Sequence, residues 1–133
     1  MAIQYSVASR TSQMSQLITT IGINAQIMLY SGAAPANVGT AATGTLLAQF
    51  AGNATAFGTA TAAVLTASAV ASILAAATGI AGYFRINTSG GVAAVQGTIT
   101  GTGGAGDMIL TNTSIASGQT VNFTSLTVTA FGV

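Results

Sequence analysis

Between Val64 and Phe84 the chain runs for 21 residues, VLTASAVASILAAATGIAGYF, without one charged side chain. That is about the length a helix needs to cross a bilayer. What this stretch becomes governs the rest of the fold. Its Ala-xxx-Ala spacings are of the kind that let membrane helices approach closely. Its apolar character, however, is mostly alanine, diluted by Thr66, Ser68, Ser72, Thr78, Gly79 and Gly82. Membrane insertion is driven by Leu, Ile, Phe and Val, with basic and aromatic anchors at the ends. Here no Lys, Arg or Trp stands at the upstream end. The sub-segments read better as strands: VLTASAVAS alternates, LAAATG can turn, and IAGYFRI starts a hairpin. We therefore read strand, turn and strand, in preference to a soluble helix, with no membrane partner.

The missing charge is a property of the whole chain. Arg10, Arg85 and Asp107 are its only charged side chains among 133 residues, and there is no His. Ordinary soluble domains carry about a quarter charged residues. A surface this neutral has little electrostatic protection against association, which suits a protein held in an assembly. Two arginines cannot neutralise a tract of phosphates, so nucleic acid is not an expected partner. Leu, Ile, Val and Phe make up about a quarter of the residues, enough for a core. The length suits a single domain over residues 1–133.

One helix is well signalled. Met14, Leu17, Ile18 and Ile21 form an i, i+3, i+4, i+7 stripe. Ser9, Thr11 or Ser12 can cap its start, and Gly22 its end. This predicts an N-terminal arm over 1–10, a helix over 11–21 and a β-rich body over 25–131. In the body, AQIMLY and TLLAQFA read as strands, the second closed by Gly52-Asn53. NTSGG joins a hairpin in which Phe84 and Ile86 share one face and Tyr83 and Arg85 the other. Val95, Gly97 and Ile99 are the facing set. Near Thr124–Ser125 the alternation slips by one residue, as at a β-bulge. The expected fold is mainly β: a sandwich or small barrel of about seven short strands with one N-terminal amphipathic helix.

The residue inventory removes most chemistry. Without His or Cys there are no usual triads and no Cys/His metal sites. One acidic side chain cannot make a carboxylate pair. Asp107 can join an oxygen-rich ion site, but reads more simply as a turn residue. GTGGAG at Gly101–Gly106 matches G-x-G-x-x-G in form only, because β-prone DMILTN follows it and no acidic residue lies about twenty positions on. It reads as an inter-strand loop. Sequons at Asn53, Asn87, Asn112 and Asn122 arise by chance in a Thr/Ser-rich chain, and the first residues do not resemble a secretory signal. No catalytic residue, cofactor or metal is expected. Arg10, Tyr30, Tyr83 and Arg85 remain as candidate protein-protein interface residues, since Arg and Tyr are favoured interface anchors.

The order of short motifs, finally, resembles a family of small tailed-bacteriophage virion proteins. The features are the helix at Leu17–Ile21, the strand and Tyr-Ser-Gly loop at Leu29–Pro35, GTLL at Gly44–Leu47, the aromatic-plus-Arg strand Tyr83–Ile86, and NTSIASGQTVNFTSLTVT at Asn112–Thr129. The resemblance spans about residues 12 to 130; relatives are usually more charged. It implies a non-enzymatic virion structural protein, foremost a capsid decoration (cement) protein on the capsid surface. Such a protein binds the assembled major capsid protein lattice and self-associates as a homo-oligomer, such as a trimer. The alternatives are a tail tube or head-tail connector or completion protein, and a virion-surface carbohydrate-binding module. With no Trp and three Tyr, the aromatic platform for the last is thin.

Overall fold

The computed structural model of the chain describes residues 3–51, 57–67 and 70–131. Its one helix, α1 (Val7–Ile21), is capped by Ser6, whose side chain accepts from the Ser9 backbone N–H at 3.1 Å. The helix thus begins a turn before the predicted start, and Arg10 lies inside it rather than in an arm. The reason is local: Ser6 is extended at φ −61°, ψ 157°, while Ser9, Thr11 and Ser12 all sit within the helix. Thr11 and Ser12 turn their hydroxyls back to the carbonyls of Val7 and Ala8. The end falls where expected, with Gly22 at φ 71° donating its N–H to the Ile18 carbonyl. Met14 and Ile21 are buried, and Leu17 and Ile18 pack partly against the core.

Ten strands follow among the described residues, rather than about seven. They are β1 (Gln26–Ser31), β2 (Leu46–Ala51), β3 (Val64–Thr66), β4 (Ile73–Leu74), β5 (Gly79–Asn87), β6 (Ala93–Gly101), β7 (Met108–Leu110), β8 (Ser114–Ile115), β9 (Thr120–Val121) and β10 (Phe123–Thr129). The extra strands are the two-residue pieces, too short to show alternation in sequence. The main sheet runs β2-β1-β5-β6-β7-β10-β3, with β8 also on β5, while β4 and β9 form a separate ribbon. The fold is mainly β, a small sandwich- or barrel-like domain with one N-terminal helix.

The stretch Val64–Phe84 supplies β3, β4 and the start of β5, with a bend at Ala76–Ala77. No helix among the described residues is long and apolar enough to cross a membrane. Ser68 and Ala69 lie outside the described residues, as do Gly52, Asn53 and the sequon there. The sequon residue Asn87 is buried.

Cross-strand rows define two faces. On one, Phe50, Ile27, Ile86 and Val95 stand in register, next to Ala48, Leu29, Phe84 and Gly97. This face belongs to the core, whose buried cluster extends from Met14 to Ala130. Burying a side chain such as Phe84 contributes roughly 1.5–3 kcal/mol. On the opposite face, Gln49, Met28, Arg85 and Gln96 form one row, and Leu46, Tyr30, Tyr83 and Thr98 the next. In β10 the register shifts between Phe123 and Ser125, so Thr124 is the inserted residue expected near that point.

All but one of these pairings are antiparallel; β6 and β7 are parallel, Ile99 opposite Met108. Parallel neighbours usually need a crossover of a dozen or more residues. Here residues 102–107 suffice. The loop lies directly on β6: Gly106 donates its N–H to Thr100 Oγ1 at 3.0 Å, and a Cβ on Gly106 would come within 2.9 Å of the Thr100 nitrogen. A strand follows it, so the context of a dinucleotide fingerprint is not met.

Candidate functional site

The fourteen-residue connection from Gly32 to Thr45 is the longest exposed loop between strongly paired strands, β1 and β2. Its base is tied at both ends. The Ser31 N–H reaches the Thr45 carbonyl at 3.0 Å, and the Thr45 N–H reaches Ser31 Oγ at 2.9 Å. Gly44 sits at φ +74°, and a Cβ there would collide with the Ser31 carbonyl oxygen, so only glycine fits the crossing. Within the loop, Asn37 Oδ1 accepts from both the backbone N–H and the hydroxyl of Thr40 at 3.0 Å.

The sheet face beneath the loop carries three of the four residues singled out in the sequence. Tyr30 and Tyr83, cross-strand partners, stack with centroids 5.1 Å apart and planes 13° apart. The Tyr83 hydroxyl donates to the Thr43 carbonyl at 2.7 Å and accepts from the Thr43 N–H at 2.9 Å. Arg85 Nη2 donates to the Thr40 carbonyl at 2.7 Å and to Gln96 Oε1 at 3.2 Å. Gln96 in turn donates Nε2 to the Pro35 carbonyl at 2.8 Å. Three side chains of β5 and β6 therefore strap the loop at Pro35, Thr40 and Thr43.

This corrects the expectation for two residues. Tyr83 is 1 % exposed and Arg85 5 % exposed, so neither offers surface to a partner in this conformation. The sequence places them correctly on one face but does not show that the loop returns over that face. They hold an exposed loop from below. Tyr30 is half-buried at the edge of the cluster, its hydroxyl 3.4 Å from Met28 Sδ. Arg10, half-buried, stands on α1 and not in this cluster. The Nε atoms of both arginines are buried without a hydrogen-bond partner.

The cluster is built from neutral acceptors around one guanidinium, and what it does is mechanical: it fixes a loop. Burial, and next the neighbouring Tyr83, push the Tyr30 hydroxyl above its ordinary pKa of 10.0, with Arg85 opposing. The unfolded chain then releases that proton first as pH rises. Stability from Tyr30 is accordingly complete below about pH 10 and declines above it. A series of urea midpoints across pH 8 to 11 is expected to be flat and then fall, with a shallower fall in Tyr30→Phe.

Asp107 serves the sheet. Its Oδ2 accepts from the backbone N–H and the hydroxyl of Thr98, both at 3.0 Å, and its carbonyl accepts from the Thr127 N–H at 2.9 Å. It thereby joins β6 to β10 across the glycine loop, close to the turn role read from sequence. Among the described residues no group of three or more His, Cys, Asp or Glu could hold a metal ion. Sequence alternation carries no sign of the roles of Thr40 and Thr43, and for Gln96 it shows only that the residue faces Arg85 across the hairpin.

These features define a class: a small β protein that displays a strapped, uncharged loop. Comparison with models of protein families, with curated proteins and with solved structures finds no match to this chain.

Proposed function

We propose that the protein is a non-enzymatic structural component of a bacteriophage particle, a capsid decoration protein that binds the assembled lattice and stabilises it. The observation that carries this reading is an almost uncharged chain that leaves apolar side chains in the open. Ile3, Tyr5 and Val7 are exposed within and just ahead of the first turn of α1, and Ile23, Leu74, Ile80, Val92 and Phe131 are exposed elsewhere. The ordered motifs that resemble small virion proteins supply the particle. The displayed loop and the Ile3–Ser6 segment ahead of α1 supply contact through apolar area, backbone hydrogen bonds and strand addition. Binding only the assembled state stabilises that state by mass action.

Because this adhesion uses few charges, capsid affinity is expected to change less than about threefold between ~0.05 and ~0.5 M salt. Co-sedimentation of the purified protein with capsids that lack it measures this, and a steep loss with salt would overturn the mechanism. Mass spectrometry of purified particles tests the assignment itself. Hundreds of copies fit decoration, tens or fewer fit a connector, and absence from particles refutes both. Tubes or rings formed without capsids would favour the tail or connector reading.

A further inference from the structure

A second feature lies on the core side of the sheet, and its lining reaches the strapped loop at Val38 and at the strap residue Gln96. Between α1, β6 and β10 a cavity of about 490 Å³ opens to solvent. Met14 and Leu17 of α1, Val95 of β6 and Val128 of β10 line it together with Phe84, and Phe131 stands beside it, 90 % exposed. Its volume lies in the range of small-molecule sites, which join apolar walls to a few placed polar groups. The polar side chains of the lining are Gln96, Thr127, Thr129 and Asp107. Asp107, the chain's only acidic side chain, is part of the lining, whereas Arg10 and Arg85 are not.

Gly97 brings the two characters together. A Cβ placed there would lie 2.7 Å from the edge of the Phe84 ring and 2.8 Å from Asp107 Oδ2. The fully buried Phe84 ring and the carboxylate thus pack against the same glycine, which sets Asp107 at the edge of the apolar lining. The carboxylate is also preset, because both Thr98 bonds use Oδ2. A lone anion beside low-dielectric walls attracts a cation and repels an anion.

We propose that this groove binds a small amphiphilic cation, an apolar chain of several carbons ending in an ammonium group, with the ammonium on Asp107 and the chain over the half-buried Leu17, Val95 and Val128. The assignment is independent of the proposed role in a particle.

The test is an NMR titration of the full chain with n-octylammonium, 1-octanol and octanoate, each below its aggregation limit. Octylammonium is expected to shift Leu17, Val95 and Val128 signals and to bind about 3- to 5-fold more tightly than octanol, the scale of one exposed charge pair. Octanoate is expected to bind most weakly. Asp107→Asn keeps an oxygen for the Thr98 N–H and should bring octylammonium to the affinity of octanol. Ala94→Phe fills the groove and should remove both. Should Asp107→Asn fail to fold, salt decides on the native chain: raising it must weaken octylammonium binding and not octanol binding. Equal affinities for all three probes, shifts elsewhere, or no binding would overturn the proposal. So would ligand-free, concentration-dependent shifts of the same residues with a dimer in sedimentation, which would make the groove a contact between copies.

Discussion

Gly82→Ala is expected to lower the unfolding free energy by about 3 kcal/mol, the top of the usual range for overpacking by one methyl. The register of β1 on β5 shifts between Tyr30 and Ser31, and Ser31 pairs with Ala81. That shift lays the Gly32 carbonyl over Gly82, where a Cβ would collide with its oxygen. The obstacle is backbone, so no side chain can turn away, and relief requires β1 and β5 to separate. At Gly97, by contrast, the neighbours of an added methyl are a ring edge and a carboxylate, both able to give. Against a typical total of about 5–15 kcal/mol, a loss of this size is visible in a single urea titration. A loss below about 1 kcal/mol in Gly82→Ala would show that the two strands do not approach as described.

Arg85 gives the second large effect, and two substitutions there should diverge. Arg85→Ala leaves a void and strips the Thr40 carbonyl of its donor, for an expected cost of about 2–4 kcal/mol. Arg85→Met fills most of the space and removes a buried charge whose partners are neutral, which commonly costs little or stabilises. Its expected change is under about 1 kcal/mol. Both variants lose the strap at Thr40, so both should be cut faster within residues 32–45 by a nonspecific protease. Equal destabilisation by Ala and Met would mean that the hydrogen bonds of the guanidinium, not the space it fills, support the fold. Unchanged cleavage in both would remove its assigned role in holding the loop.

Period and punctuation made much of this architecture legible. The stripe from Met14 to Ile21, the Gly22 stop, the Phe84/Ile86 face opposite Val95 and Gly97, and the inserted residue at Thr124 are all local patterns, set by neighbours a few residues apart. The start of α1 differs from the expected one because several hydroxyl residues in a row can cap, and only backbone geometry selects Ser6. The two-residue strands were missed because pairing, not alternation, creates them. The largest difference concerns Tyr83 and Arg85. Alternation identifies the face of a strand that points away from the core, yet carries no information on whether a loop forty residues away in sequence covers that face. The Thr43–Tyr83 bonds span that separation. The groove was invisible for the same reason, since Met14, Phe84, Asp107 and Val128 come from four distant segments.

The central position of β5 has a consequence for the nascent chain. β1 pairs with β2 soon after both exist, but its other edge waits for β5, and Met28 and Asn87 stand 59 residues apart. At translation rates of about 5–20 residues per second, that edge stays open for on the order of 3 to 12 s. An unpaired edge is a template for wrong strands, and this chain has almost no charge to repel them. Synthesis therefore passes through an interval in which the β1–β2 hairpin is more prone to capture by another copy than the finished protein is, and faster translation shortens it.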